Sequence, residues 1–262
     1  MPADPEHVAT YLTERRKIWK MSTLRRRLAG ISVAHKTAGV RFDVGAPIIE
    51  STMKGIAKEK TGDVRRVAPL MPSRALGLIE EAASLREVRD AALMAFGIAM
   101  AGRRSEIAGL DWLERGGGDG LLALTEYGAL VTLYRSKTNK DGKPRTIVVK
   151  DGPALKAVMR WVELAGIVPR TALFRGIGAK GKVGAKRLHT SSIARAVKRF
   201  AGKDYSGHSM RAGFCTAAAK RHIPEWKMRL VTGHSAKSRQ LEEVYIRPQS
   251  QIDDAVTNDI DL

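Results

Sequence analysis

Cysteine is almost absent from this chain. The single Cys215 excludes an internal disulfide and any cysteine-based zinc cluster. Aromatic residues make up only 5%, too few for a platform that stacks single-stranded bases. The longest nearly apolar run, residues 91–101, falls well short of the ~20 residues that a membrane span needs, so no membrane partner is expected. Residues 1–11 carry no basic stretch followed by an apolar one, so no secretory signal is read and a cytoplasmic location is expected. Acidic residues are scarce beside basic ones: Asp+Glu number 27 against 46 Lys+Arg, a net charge of +19 over 262 residues. With 44% hydrophobic and 28% charged residues, the composition is that of a globular protein long enough for one large domain or two small ones. A positive excess of this size favours a polyanionic partner, nucleic acid above all.

Residues 1–60 read as short helices. Leu24, Leu28 and Ile31 recur at helical spacing and face a core, on a helix that Ser22 caps and that runs to about residue 35. Arg25, Arg26, Arg27 and Lys36 surround that stripe, with Arg15, Arg16, Lys17 and Lys20 before it. A charge run is often only a solvated face, but in so basic a chain these runs suit contact with phosphates. Residues 58–72 combine charge, glycine and two prolines without apolar periodicity. They set the division: a helical domain over 1–60, a linker over 61–70 and a second domain over 71–262.

In the second domain helices are expected over 72–84 and 86–102, then a further one capped by Ser105 that ends by Trp112. The glycine-rich stretch 115–120 has no Lys-Ser/Thr after it and reads as a turn, not as a phosphate cradle. Strand-like runs follow at 121–125, 129–135 and 145–149, the last two flanking a lysine-bearing hairpin turn at 136–143. From Pro153 the chain is mostly helical, with a glycine-rich basic loop around Lys182 and Arg187. The fold class is therefore mainly α with a small antiparallel β-sheet (α+β).

Six residues stand out: Arg103, Lys137, His208, Arg211, His234 and Tyr245. Singly, each has an ordinary structural reading, such as a surface ion pair, a solvated lysine or a core tyrosine. Together they suit attack on a phosphodiester without a metal. A tyrosine phenol serves as nucleophile. Two guanidiniums match phosphate oxygens with planar forks and stay charged. A lysine on a hairpin protonates the departing 5′-oxygen, and near-neutral histidines donate to the phosphate or accept the tyrosine proton. No metal-ligand cluster and no cofactor motif is present, so none is expected.

In that order the residues resemble the tyrosine recombinase (phage integrase) family. Its first box resembles 102–110 (GRRSEIAGL), where the arginine three before Glu106 is Arg103 and not Arg104. The family lysine falls on Lys137 in 135–142 (RSKTNKDG), the second box on 207–216 (GHSMRAGFCT), giving His208 and Arg211, and the third on 232–234 (TGH), giving His234. The nucleophile falls on Tyr245 in 245–247 (YIR). His234 and Tyr245 stand slightly further apart than the family pattern, and the N-terminal domain is short by its first helix.

The resemblance implies a helical core-binding domain followed by a catalytic domain. It implies cleavage and rejoining of double-stranded DNA through a 3′-phosphotyrosyl intermediate, supported by Glu106, and a homotetramer on paired DNA sites. Arg195, Lys198 and Arg199 form a basic stripe on a helix capped near Ser191 or Ser192, and with Arg25, Arg26, Arg27, Lys182 and Arg187 they suit duplex phosphates. Ser238 is read as capping a short helix that carries Tyr245. Ile252, Val256 and Ile260 form an apolar stripe in an acidic tail, read either as packed on its own domain or as docked on a neighbouring protomer. Two other readings stay open: a type IB topoisomerase-like enzyme, and a non-catalytic DNA-binding remnant of an integrase. Cys215 reads as a small buried residue.

Overall fold

The structure is a computed structural model that describes residues 3–60, 67–135 and 144–235. The chain divides into two compact units, Met1–Arg66 and Val67–Leu262.

The first unit holds three helices: α1 (Pro5–Arg15), α2 (Met21–Thr37) and α3 (Pro47–Glu59). Asp4 caps α1 by accepting from the Glu6 amide at 2.9 Å, and Pro5 occupies the first turn, where its missing N–H costs nothing. Val8, Leu12, Leu24, Ile49 and Ile56 are buried together, and Leu28 and Ile31 pack against them as their spacing predicts. Ser22 is not a cap. Helix α2 begins two residues earlier than a Ser22 cap would place it, after Lys20, and its start has no side-chain cap. Arg25, Arg26 and Arg27 are all exposed on α2. The Arg15 and Arg27 guanidiniums lie 5.7 and 5.1 Å from the centre of the Trp19 ring, a cation–π arrangement that holds both on the surface.

The second unit begins with α4 (Pro72–Glu81) and α5 (Leu85–Ala99), then α6 (Arg104–Ala108) and strand β1 (Leu110–Trp112). Ser84 and Glu87 close a capping box on α5, whose residues from Val88 to Ile98 are all buried. A single helix from Ser105 to Trp112 does not form. The cap position of α6 is Arg103, the helix ends at Gly109, and 110–112 pairs as a strand. Strands β2 (Gly120–Thr125), β3 (Gly128–Leu133) and β4 (Arg145–Lys150) make an antiparallel meander, and β1 joins β2 in parallel at the edge. The pairing of Leu133 with Arg145 brings the two ends of the lysine-bearing stretch together.

Helix α7 (Pro153–Ala165) follows and ends at Gly166 in the left-handed conformation, φ 59°. The basic loop expected near 180 is a hairpin, β5 (Arg175–Ile177) with β6 (Val183–Arg187). Four glycines, at 176, 178, 181 and 184, hide its strand pattern in the sequence. Helices α8 (Thr190–Phe200), α9 (Ser209–Ala219) and α10 (Glu225–Thr232) complete the described chain. Helix α8 is capped by His189, whose Nδ1 accepts from the Ser191 amide at 3.2 Å, and not by Ser191 or Ser192.

The core of this unit joins Leu93, Phe96, Val131, Trp161, Phe174 and Met210. Two buried carboxylates shape its surroundings. Asp90, 1% exposed, accepts from Arg89 at 2.6 Å and from Arg199, while Arg89 also reaches the Arg175 carbonyl at 3.1 Å and so braces β5. Asp111, fully buried, accepts from the Gly116 and Gly118 amides at 2.7 Å each and from Arg187. The glycine-rich turn is thus an anion cradle already filled from within the chain. Burial alone would raise the Asp111 pKa, but Arg187 and the two amides outweigh it and hold the carboxyl below its usual range. Residues 67–70, expected in the linker, attach to this unit: the Leu70 amide donates to the Ser209 carbonyl at 2.9 Å. No helix among the described residues is long and apolar enough to cross a membrane.

Candidate active site

The site lies in the second unit, where α6, α9 and the end of α10 meet. Its first part is the turn after α5. Ala101 has φ 48°, uncommon for a residue with a Cβ, and Gly102 follows where a Cβ would stand 2.8 Å from Ile107. The chain then reverses into α6 with Arg103 at its start. Glu106, 3% exposed, accepts from the Arg103 amide at 2.8 Å and from its guanidinium at 2.7 Å. These bonds fix the direction in which Arg103 points.

The second part is the start of α9. His208 sits at the cap position and Arg211 in the first turn. Arg211 is 1% exposed and donates to the Ala101 carbonyl at 2.9 Å, to the Thr232 carbonyl, and to His234 Nε2 at 3.1 Å. The left-handed Ala101 therefore aims its carbonyl at Arg211, two residues before Arg103.

The third part is the turn after α10. As expected, Gly233 ends that helix in the left-handed conformation, φ 65°, and His234 emerges from it. Thr232 Oγ1 donates to the Met228 carbonyl at 2.8 Å, so it can only accept from His234 Nδ1 at 3.1 Å. The neutral His234 ring thus carries its proton on Nδ1 and turns a lone pair on Nε2 toward Arg211. Burial first, then the charges of Arg211, Arg103 and Arg229, push its pKa down to about 4. His208 is exposed as a residue, but loss of water around its ring, followed by Arg211, Arg103 and Arg104, lowers its pKa as well. Both rings are neutral at pH 7.

Arg145 is a residue of this cluster that the sequence reading missed. It opens β4, immediately after the lysine-bearing stretch. It donates to Glu106 at 3.2 Å and to the Val231 carbonyl, and its guanidinium lies so close to Gly233 that a Cβ there would stand 3.1 Å from Cζ. It is a third guanidinium at the site and links the first box to the histidine turn. Burial, and the charge of Arg103, lower its pKa against the opposing pull of Glu106. The signal available was an arginine on a strand whose neighbours alternate with apolar residues, which also describes many surface arginines.

Of the six expected catalytic residues, the structure brings together Arg103, His208, Arg211 and His234, with Glu106 beneath them. Lys137 and Tyr245, together with the helix read around Ser238 and the stripe of Ile252, Val256 and Ile260, lie outside the described residues. Among the expected DNA-contacting residues, Lys182, Arg195 and Lys198 are exposed. Arg199 donates to Asp90, and Arg187 to Asp111 and to the Ala108 and Leu110 carbonyls. Both residues brace the fold, and Arg199 is exposed as well. Cys215 is fully buried, and burial raises its pKa to about 12, which leaves the thiol unreactive.

No protein-family model matches the chain. An integrase/recombinase xerD homolog from Selenomonas ruminantium is 28% identical over 274 residues, covering 98% of this chain and 77% of the relative. Among solved structures, the XerH site-specific recombinase bound to palindromic difH substrate in a post-cleavage complex aligns with a TM-score of 0.66. The alignment has 13% identity and covers 98% of this chain and 73% of that one. The Tn1549 transposon integrase in complex with transposon right end DNA aligns with a TM-score of 0.62 and 14% identity, covering 98% and 85%.

The depressed histidines make stability depend on pH. An unfolded histidine titrates near 6.5, and folded His234 near 4. Between those values the unfolded state binds more protons, so stability falls as pH falls from about 6.5 to about 4. Thermal unfolding across that range checks this: His234→Gln is expected to flatten the fall, and an unchanged slope would contradict the assigned burial of the ring.

Proposed function

We propose that the chain is a site-specific DNA recombinase of the tyrosine recombinase family, and that it cleaves duplex DNA with Tyr245 under the charge of Arg103 and Arg211. The observation that carries this reading is the joining of Arg103, Arg211 and His234, distant in sequence, through the Ala101 and Thr232 carbonyls. A phosphate entering there meets the Arg103 guanidinium and the charge of the buried Arg211 behind it, both held in place beforehand, so the charge that builds on phosphorus is stabilised with little rearrangement.

Tyr245 gives up its phenolic proton as its oxygen bonds to phosphorus, and the bond from phosphorus to the 5′-oxygen breaks. His208 accepts the tyrosine proton, His234 stays bound through Nε2 to Arg211, and Lys137 delivers a proton to the departing 5′-oxygen. A 5′-hydroxyl from a partner strand reverses the step, and the phosphotyrosyl link conserves the energy of the original bond. The arriving phosphate also raises the affinity of both histidines for protons. Arg25, Arg26, Arg27, Lys182, Arg195 and Lys198 position the duplex through its backbone. A topoisomerase of related chemistry fits less well because the xerD-like relative is a recombinase, and a non-catalytic remnant fits less well because the four described site residues are in place. The enzyme acts in the cytoplasm, where its DNA is.

It works as a homotetramer on paired sites. An apolar groove of about 460 Å³ on the second unit, lined by Pro72, Leu76, Ile98, Phe214, Ala218 and Ile223, has Arg221 at its edge. The stripe of Ile252, Val256 and Ile260, flanked by Asp253, Asp254 and Asp259, matches it in polarity and charge and is its proposed occupant from a second copy.

Covalent capture tests the chemistry. Nicked duplexes with randomised cores are incubated with the chain and protein-linked DNA is recovered in detergent. The wild type is expected to yield a recurring site and Tyr245→Phe no adduct; equal adducts from both would refute Tyr245 as nucleophile. On the recovered site, removal of residues 250–262 is expected to leave single-site binding within about twofold and to abolish paired complexes in gel-shift assays. Undiminished pairing would remove the docking role.

A further inference from the structure

Four arginines cluster at the site, and Arg104 differs from the other three. Arg103 and Arg145 share Glu106. Arg211 is enclosed by two carbonyls and His234. Arg104 is exposed, and among the described residues no carboxylate, carbonyl or hydroxyl accepts from it. Its position is nevertheless defined. Its stem lies on the α-carbon of Gly207, where a Cβ would overlap Cγ and Cδ and stand 3.1 Å from Nε.

This placement is informative in two ways. Arg104 is one residue along from Arg103, and it packs on the residue just before His208, so it stands at the rim of the site on the side of both. It is also close enough for its charge to act on His208 together with those of Arg211 and Arg103. A fourth cation beside three others is unfavourable in the free protein, and an anion from outside relieves that repulsion. The geometry of a guanidinium, a planar fork of donors, suits a phosphate better than a point charge would.

Resting on the function proposed above, we infer that Arg104 is a substrate-contacting residue that grips the backbone phosphate next to the scissile one, with Gly207 as the bare shelf that sets its reach. Arg103 and Arg211 serve the scissile phosphate, and Arg104 fixes which phosphate of the strand enters between them. It reads no base, because contacts to phosphate fix register and not sequence. The site therefore grips two successive phosphates, and the tight Arg104–Gly207 packing couples the first box to the second on the DNA side.

The test uses the full chain and the duplex recovered by covalent capture, synthesised with one neutral methylphosphonate at each phosphate around the cleavage position in turn. Arg104→Gln is expected to weaken binding of the unmodified duplex about tenfold and to lower its salt slope by about one. When the flanking phosphate is already neutral, the same substitution is expected to have no further effect. Arg104→Lys should fall between, and Gly207→Ala, which displaces the stem, should follow Arg104→Gln. A general fold defect cannot produce a loss confined to one phosphate. If Arg104→Gln costs the same at every methylphosphonate position, the inference is overturned while the recombinase reading stands, provided the wild type still forms its Tyr245 adduct. If the wild type forms no adduct, the recombinase reading fails and this inference with it.

Discussion

The rest of the site depends on how Arg211 is held. Its buried guanidinium takes the Ala101 carbonyl from the turn that leads into Arg103 and the Thr232 carbonyl from the turn that leads into His234. Both loops are thereby tied to the first turn of α9. The arrangement needs special backbone at each end: Ala101 in a left-handed conformation on one side and Gly233 on the other. A residue held in a sparsely populated backbone region persists only where its surroundings over-determine it, and here the surroundings are the guanidinium itself. A lysine at 211 could keep the charge but not the fan of donors that reaches both turns and the histidine ring.

Around that anchor the chain concentrates positive charge and adds one acid. Glu106 fixes Arg103 and Arg145 at once, and Arg145 reaches the Val231 carbonyl, so a second tie runs from the first box to the histidine turn. Because Arg145 opens the strand that follows the lysine-bearing stretch, this tie also joins the base of that stretch to the same turn. Burial first, and then the excess of guanidiniums, favours the neutral form of both histidines, and the guanidiniums make the site strongly positive.

Much of this was legible in the sequence, and the parts that were not share a cause. The four site residues that the structure brings together were legible because each belongs to a short string with its own order, such as GHSMR at 207–211 and TGH at 232–234. The sheet meander was legible because 121–125, 129–135 and 145–149 alternate or cluster apolar residues between turn signals. The edge strand 110–112 was not, because three residues carry no period. The hairpin at 175–187 was not, because glycine and lysine obscure a strand that Arg86 and Arg89 brace from another helix through the carbonyls of Ile177 and Arg175. Arg187 reads in the sequence as one more basic residue of a loop, and only the buried Asp111 beneath it shows its structural use. In each missed case the deciding partner is remote in sequence.

The central claim is that Arg103 and Arg211 act by stabilising negative charge on the scissile phosphate. The most direct measurement compares cleavage by wild type and Arg211→Ala on the captured site with an ordinary phosphodiester, and then with a neutral methylphosphonate at the scissile position. On the ordinary substrate the substitution should slow cleavage by about a hundredfold or more. On the neutral substrate, which has no such charge to stabilise, wild type and variant should differ by less than about threefold. An equally large loss on both substrates would mean that Arg211 only holds the loops together, and the electrostatic account would be wrong.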